Sequence, residues 1–191
     1  MRIIAGYLKR KRIDFLKSSI TRPLRDYVKE NIFNVINHSN LVDIDLENAN
    51  VLDLYSGVGS FGIECISRGS KKTTFIENDK IAIDTLKKNL KNLNIEDKCK
   101  IFENKIIRFF DQTKNKDKYE IFFFDPPFDE DFIIEDLKTL KNSKIFKSKH
   151  LIIIHRDQKS KDNLNEIMNI FLIKKYGRSK IIFGDFNLST S

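Results

Sequence analysis

Val51-Leu52-Asp53-Leu54-Tyr55-Ser56-Gly57-Val58-Gly59-Ser60-Phe61-Gly62, continuing as Ile63-Glu64-Cys65-Ile66, is the stretch that decides the fold. An apolar run ends near an acid, breaks at closely spaced glycines and resumes as an apolar-periodic segment. That order reads as strand, tight turn and helix. Gly57, Gly59 and Gly62 match the G-x-G-x-x-G spacing of turns that place a helix N-terminus under a cofactor. A second apolar run, Thr73-Thr74-Phe75-Ile76, ends at Glu77, about twenty residues on, where an acid for a ribose diol is expected. These features predict a nucleotide-like cofactor above the first helix without specifying which.

Further along, Ile121-Phe122-Phe123-Phe124 runs into Asp125-Pro126-Pro127-Phe128. Four apolar residues closed by an acid and two prolines read as a buried parallel strand that stops abruptly. Each proline removes a backbone N–H and fixes φ. The carbonyls of Asp125 and Pro126 are left to point out of the strand end, with the Phe128 ring just beyond. An acceptor pair beside a flat apolar face suits a planar base with an exocyclic amine. The same dipeptides also make ordinary turns.

Around these motifs strands and helices alternate. Strands are expected near 50–55, 72–77, 99–103, 119–125, 149–154, 170–176 and 180–186. Helices are expected near 59–68, 79–93, 105–111, 131–140 and 160–169. Such alternation predicts an α/β fold with a parallel sheet. The last two strands flank Gly177-Arg178-Ser179 and must pair antiparallel. Ahead of the first core strand, 2–5 and 12–15 read as a hairpin around a basic turn. A helix is expected from Thr21-Arg22-Pro23 to about Ile36. The division expected is a small extension, 1–45, before a catalytic domain, 46–191.

The bulk numbers narrow the class. The chain has 191 residues, 40% apolar and 32% charged, ordinary for one globular unit. No run approaches the roughly 18 apolar residues of a membrane span, and the start lacks a signal-peptide pattern. Cys65 and Cys99 have neither metal nor redox spacing, and His38, His150 and His155 are too scattered for a metal site. A reduced, cytoplasmic setting, no metal and a monomer are the expectations. The net charge is +8. Residues 1–30 carry nine Lys and Arg against three acids, so most of the excess sits at one end. A basic block of this kind is an electrostatic footprint for nucleic acid.

These residues together resemble the bacterial 16S ribosomal RNA guanine-N2 methyltransferases of the RsmD type. The resemblance rests on Thr21-Arg22-Pro23 with Val28-Lys29-Glu30-Asn31-Ile32-Phe33-Asn34, on Asp53 to Glu64 followed by Ser67-Arg68-Gly69, and on Phe75-Ile76-Glu77. Asp125-Pro126-Pro127-Phe128 matches the family's D-P-P-[YF] motif, and Tyr176-Gly177 with Ile181-Ile182-Phe183 its closing hairpin. It covers nearly the whole chain in the right order. It implies a class I, Rossmann-like methyltransferase sheet that is mostly parallel and closed by an antiparallel hairpin. S-adenosylmethionine (SAM) is the implied cofactor, and 16S RNA in an assembled or nearly assembled small subunit the implied partner.

By the same resemblance, the cofactor is held by Asp53, Tyr55, Ser56, Gly57, Gly59, Glu77, Asn78 and Asn104. Asp125, Pro126, Pro127 and Phe128 are the catalytic set. Lys9, Arg10, Lys11, Arg12, Arg22 and Arg25 contact RNA on the active-site side. Three positions depart from the family pattern. Asn104 stands where an acid usually meets the adenine amine, Ile154 where a Glu often precedes His155, and Tyr27 where an Arg is usual. Rival readings are an adenine-N6 methyltransferase on DNA or RNA, a non-catalytic RNA-binding protein on the same scaffold, and a nicotinamide-dependent oxidoreductase.

Overall fold

The computed structural model describes residues 1–16, 24–112, 117–127 and 132–186. The elements in chain order are α1 (Asp26–His38), β1 (Asn50–Leu54), α2 (Ser60–Ser67), β2 (Lys72–Glu77), α3 (Lys80–Leu93) and β3 (Cys99–Glu103). There follow α4 (Ile106–Gln112), β4 (Tyr119–Phe124), α5 (Ile133–Ser143), β5 (Phe146–Asp157), β6 (Asn169–Tyr176) and β7 (Ser179–Asp185). The strands form one sheet in the order β3-β2-β1-β4-β5-β7-β6. Pairing is parallel from β3 to β5 and antiparallel for β5–β7 and β7–β6. This is the class I methyltransferase architecture that the alternation and the final hairpin predict.

The central strands are apolar on both faces because both are covered. Leu52, Leu54, Phe122, Phe124, Ile152 and Ile154 pack with α4 and α5. Val51, Ile121, Phe123, Leu151 and Ile153 pack with α1 and with Phe61 and Cys65 of α2. Helix α3 lays Leu86 and Leu90 against Ile63 and Ile66 of α2 and Phe75 of β2.

The amino-terminal segment packs into the same layers. Ile3, Leu8 and Ile13 join the cluster made by α2 and α3. The fully buried Glu64 carboxylate accepts from the backbone N–H groups of Ile4 and Ala5, each at 2.9 Å. It also pairs with Lys29 at 3.5 Å and Arg68 at 2.9 Å. Two cations and two amides thus satisfy a charge that burial would otherwise penalise by several kcal/mol.

Three expectations change. The hairpin of 2–5 with 12–15 is a single antiparallel bridge, Arg2 to Arg12. The turn between them follows Gly6, whose Cβ position would lie 1.7 Å from the Ser67 carbonyl oxygen. The helix expected over 160–169 is a single 3-10 turn, Leu164–Glu166. Leu164, Ile167 and Met168 have helical spacing and are buried. Only one turn is needed to bury them, and Asn169 already enters β6. The fifth core strand begins earlier and ends later than 149–154, because its polar flanks are paired as well. Thr21, Arg22 and Pro23 lie outside the described residues; α1 begins at Asp26 after an extended Arg25.

Candidate active site

Sheet order reverses direction at β1, which has β2 on one side and β4 on the other. Ligands of open α/β sheets bind beyond the carboxyl ends of the strands at such a point. Register decides which side chains meet there. Leu54 is level with Ile76 and with Phe124, and Phe124 is level with Ile154. One residue further, Glu77, Tyr55, Asp125 and His155 therefore form a row across four adjacent strands. Neighbouring strands lie about 4.8 Å apart, so the Glu77 and Asp125 backbones are roughly 10 Å apart.

The glycine turn is built under this row. Gly59 has φ +87° and caps α2, a left-handed conformation that side chains with a Cβ resist. Gly62 is required for a different reason. A Cβ there would meet a Phe75 ring carbon at 2.4 Å and Asp53 Oδ2 at 2.9 Å. Its N–H donates to that same Oδ2, also at 2.9 Å. Asp53 is 1% exposed, and burial pushes its carboxyl well above the usual carboxylate range; the Gly62 N–H opposes, while Asp125 and Glu77 add to the rise. Asn89 of α3 ties the turn down by donating to the Val58 carbonyl at 3.1 Å.

Glu77 holds the other side. Its Oε2 accepts from the Gly57 N–H at 2.8 Å, and its Oε1 from the N–H groups of Asn78 at 2.8 Å and Asp79 at 2.9 Å. A carboxylate offers about four lone-pair sites, so one is left for a ligand unless Gly57 lets go. Gly57 has nothing within 4 Å of its Cβ position, so the turn has room above it. The Ser56 Oγ is buried and has no hydrogen-bond partner among the described residues. Tyr55 has φ +58°, and its hydroxyl donates to Asp136 of α5 at 2.6 Å, so this side chain is anchored into the helix layer. Asn78 is exposed, and so is Asn104, whose Oδ1 accepts from the Lys105 N–H at 2.8 Å.

At the end of β4, the Asp125 N–H continues the ladder to the Leu54 carbonyl at 3.3 Å. Its Oδ1 lies 2.8 Å from His155 Nδ1. Pro126 is buried, Pro127 is exposed and Phe128 lies outside the described residues. Burial pulls His155 down, but the charge and hydrogen bond of Asp125 outweigh it, so the imidazole titrates above its usual value. Glu77 and Asp125 thus stand two strands apart at the reversal of the sheet, with Asp53 buried beneath the polar, roomy turn between them. That donor set suits a cationic ligand carrying hydroxyl and amino groups.

A family model described as conserved hypothetical protein 95 matches residues 1–185. The chain belongs to this family. The ribosomal RNA small subunit methyltransferase D of Buchnera aphidicola subsp. Acyrthosiphon pisum is 32% identical over 157 residues, 82% of this chain and 78% of that protein. The protein of the same name from Buchnera aphidicola subsp. Baizongia pistaciae is 31% identical over 185 residues, 95% of this chain and 88% of its own length. A solved structure of an Escherichia coli protein, described as a candidate methyltransferase, superposes with a TM-score of 0.82 at 22% identity, covering 97% of each chain. These relatives support a methyltransferase and not the oxidoreductase reading.

The structure brings Asp53, Ser56, Gly57, Gly59, Glu77 and Asp125 to one end of the sheet. It separates the basic turn from them. Gly6 and Tyr7 dock on Ser67, at the carboxyl end of α2. Lys9, Arg10 and Lys11 are exposed just beyond, with Lys98, which precedes β3, over the Tyr7 ring at 5.1 Å. The glycine turn is at the other end of α2, eight residues or about 12 Å away. Arg12 and Arg25 are both exposed. Arg12 pairs with Arg2, which bonds Asp26 at 3.0 Å and whose carbonyl accepts from Lys29, itself in contact with Ser60. Arg22 lies outside the described residues. An open groove of about 690 Å³ follows this flank, lined by Arg2, Arg12, Phe15 and Lys88 and by none of Asp53, Glu77 or Asp125.

Sequence reasoning missed His155 and Arg156 as site residues. Their signal was available: aligning Ile121–Phe124 with Leu151–Ile154 end to end puts Asp125 beside His155. No group of three or more His, Cys, Asp or Glu that could hold a metal occurs among the described residues. No described helix is long and apolar enough to cross a membrane.

Proposed function

We propose that this protein transfers a methyl group from SAM to the exocyclic N2 of a guanine in 16S ribosomal RNA of the small subunit. The observation that carries the reading is the Asp125 carboxylate with Pro126 at the end of β4, level with Glu77 at the reversal of the sheet. The names and coverage of the methyltransferase D relatives support ribosomal RNA as substrate.

The residues present fit the cofactor. Acidic side chains suit its cationic sulfonium and its amine, the Glu77 carboxylate its ribose, and the orphaned Ser56 hydroxyl a polar group above the turn. When bound, SAM supplies an already activated methyl group. The protein therefore has mainly to place a nucleophile in line with it, and orientation supplies most of the rate. The guanine amine is a poor nucleophile, because its lone pair is delocalised into the ring. His155 occupies Asp125 Oδ1, so Oδ2 is the oxygen presented to one amine N–H. The Pro126 carbonyl accepts the second. Positive charge develops on nitrogen as the C–N bond forms and the sulfur–carbon bond breaks, and it lies beside a carboxylate. That gain is specific to the transition state. The methylated amine then gives its extra proton to the Asp125 carboxylate, which releases it to solvent, and the base is neutral again. Phe128 stacks on the base once it is flipped out. The basic amino-terminal residues grip phosphates.

The test is mass spectrometry of digested 16S RNA after incubation of small subunits with the protein and labelled SAM. Label in N2-methylguanosine is expected. Label in N6-methyladenosine would replace the target amine, and no label in any nucleoside would remove the enzymatic reading.

A further inference from the structure

Two prolines make the Asp125–Pro127 turn unable to hold itself. Neither Pro126 nor Pro127 has an N–H, so after the bond from Asp125 to Leu54 the backbone offers no donor here. Donors must come from outside, and β5 supplies two. Consecutive strand residues point to opposite faces. His155 and Arg156, 5% and 1% exposed, therefore reach the turn from the two sides of the sheet. His155 Nδ1 meets the Asp125 carboxylate at 2.8 Å, and Arg156 Nη1 donates to the Pro127 carbonyl at 3.4 Å.

The arginine is itself fixed. Its Nε donates to Asp162 Oδ2 at 2.9 Å and its Nη2 to Oδ1 at 3.1 Å. A bidentate pair of this kind sets the plane of the guanidinium as well as its place. The loop carrying Asp162 is held by Lys180 of β7, which donates to the Ser160 carbonyl at 2.7 Å. Burying an arginine costs several kcal/mol even when paired. The preceding positions of β5 are filled by Leu151 to Ile154, so packing alone does not call for a cation here.

We propose that His155 and Arg156 are positioning residues that clamp the Asp125–Pro127 turn from both faces of the sheet, and that His155 also sets how strongly Asp125 accepts. The kinetic part rests on the methyl-transfer reading; the geometric part does not. With Asp125 ionised, His155 keeps its Nδ1–H on Oδ1 whether neutral or charged. A proton on Nε2 turns the contact into an ion pair and draws electron density from the carboxylate. Among the described residues, Asp125 is the charged group in contact with the imidazole. Across β7 the level residue is the apolar Ile181. Arg156 is on the other face with Asp162, and Asp53 and Glu77 lie beyond Asp125. Protonation of His155 therefore weakens the acceptor, and turnover rises with pH through the His155 titration.

The test has two arms. In the first, the His155 ring is followed by NMR in wild type and Asp125→Asn, with no substrate. The midpoint is expected to fall in the variant; an unchanged midpoint overturns the His155–Asp125 contact, whether or not the protein methylates anything. In the second, methyl transfer to small subunits is measured against pH. His155→Ala is expected to lower kcat at least tenfold with the KM for SAM unchanged. His155→Asn places an untitratable N–H near Nδ1, so it should recover most of kcat and lose the pH inflection. Wild-type kcat and pH profile in His155→Ala would overturn the positioning role. Arg156→Lys keeps the charge but not the fork, and should lower kcat tenfold with SAM affinity retained. If it melts early, Asp162→Asn, which only loosens the guanidinium, takes its place. Full kcat in the folded variant overturns the arginine half. A wild type that transfers no methyl group to RNA overturns the function reading instead and leaves the NMR arm to decide.

Discussion

Asp125 has one oxygen committed to His155 and a side chain still 24% exposed, which is what a group must have to be both rigid and reachable. Asp125→Ala should lower turnover at least about a hundredfold, the scale for losing a preorganised transition-state partner. SAM affinity should change little, because the carboxylate addresses the target amine; calorimetry beside single-turnover assays separates the two. The same substitution has a pH signature. His155 is raised above its usual 6.5 in the folded state. The pair therefore adds stability that is complete below the unfolded value and is lost as pH rises through the folded one. Asp125→Ala should thus reduce the melting temperature more below the usual histidine range than above the raised folded titration of His155, where the ring is neutral in both states. Glu77 is a different kind of residue, since it supports the Gly57 turn whatever else it binds. Glu77→Ala should weaken SAM binding by roughly 1.5–3 kcal/mol, the range for hydrogen bonds to a charged group, with RNA affinity unchanged. Equal SAM affinity in mutant and wild type would remove Glu77 from the cofactor site.

Between β1 and α2 the decisive dimension is helix-to-strand distance. Gly62 lets α2 approach until its N–H reaches Asp53, with Phe75 and Thr73 packed against the same point. Gly62→Ala should cost about 1–3 kcal/mol by overpacking and weaken SAM binding with it; a melt and a binding isotherm unchanged from wild type would show that the helix can shift freely. The sequence announces this element because glycine spacing, apolar period and the acid before the turn all point one way. The same holds for the strands, whose apolar runs need cover on two faces. What it did not announce has a physical reason. His155 follows four apolar residues and looks like a strand end until register places it next to Asp125. Arg156 is invisible because a buried arginine and an exposed one have the same letter. Leu164, Ile167 and Met168 mimic a helix because one turn of 3-10 helix and three turns of α-helix share their first apolar contacts. The Asn104 oxygen accepts from the next residue's N–H and, like any amide oxygen, keeps a second lone pair.

For the molecule as a whole, charge is sorted by place. Glu77 and Asp125 stand at the carboxyl ends of β2 and β4 with Asp53 buried behind them, while the amino-terminal segment carries the basic excess. The buried Glu64 fastens that segment to α2, so its cations are held in a fixed relation to the crevice rather than on a loose tail. Arg12 is linked through Arg2 and Lys29 to Ser60 at the start of α2, whereas Gly6 and Tyr7, just before Lys9, Arg10 and Lys11, dock at its end. A small RNA is expected to engage Arg12, and an assembled subunit to offer phosphates to the whole run. Replacing Lys9, Arg10, Lys11 and Arg12 together by Ser should therefore weaken binding to assembled subunits and flatten its salt dependence by several multiples of ~0.7–0.9 log units per log of salt, one for each phosphate that is no longer neutralised. On an isolated loop RNA the same variant should lose about one such increment, from Arg12. SAM affinity and melting temperature should stay at wild-type values, since none of the four side chains is buried. An unchanged salt slope on subunits would make the basic turn an ordinary solvated surface. An equal loss on subunit and loop would place these lysines and arginines against the target itself.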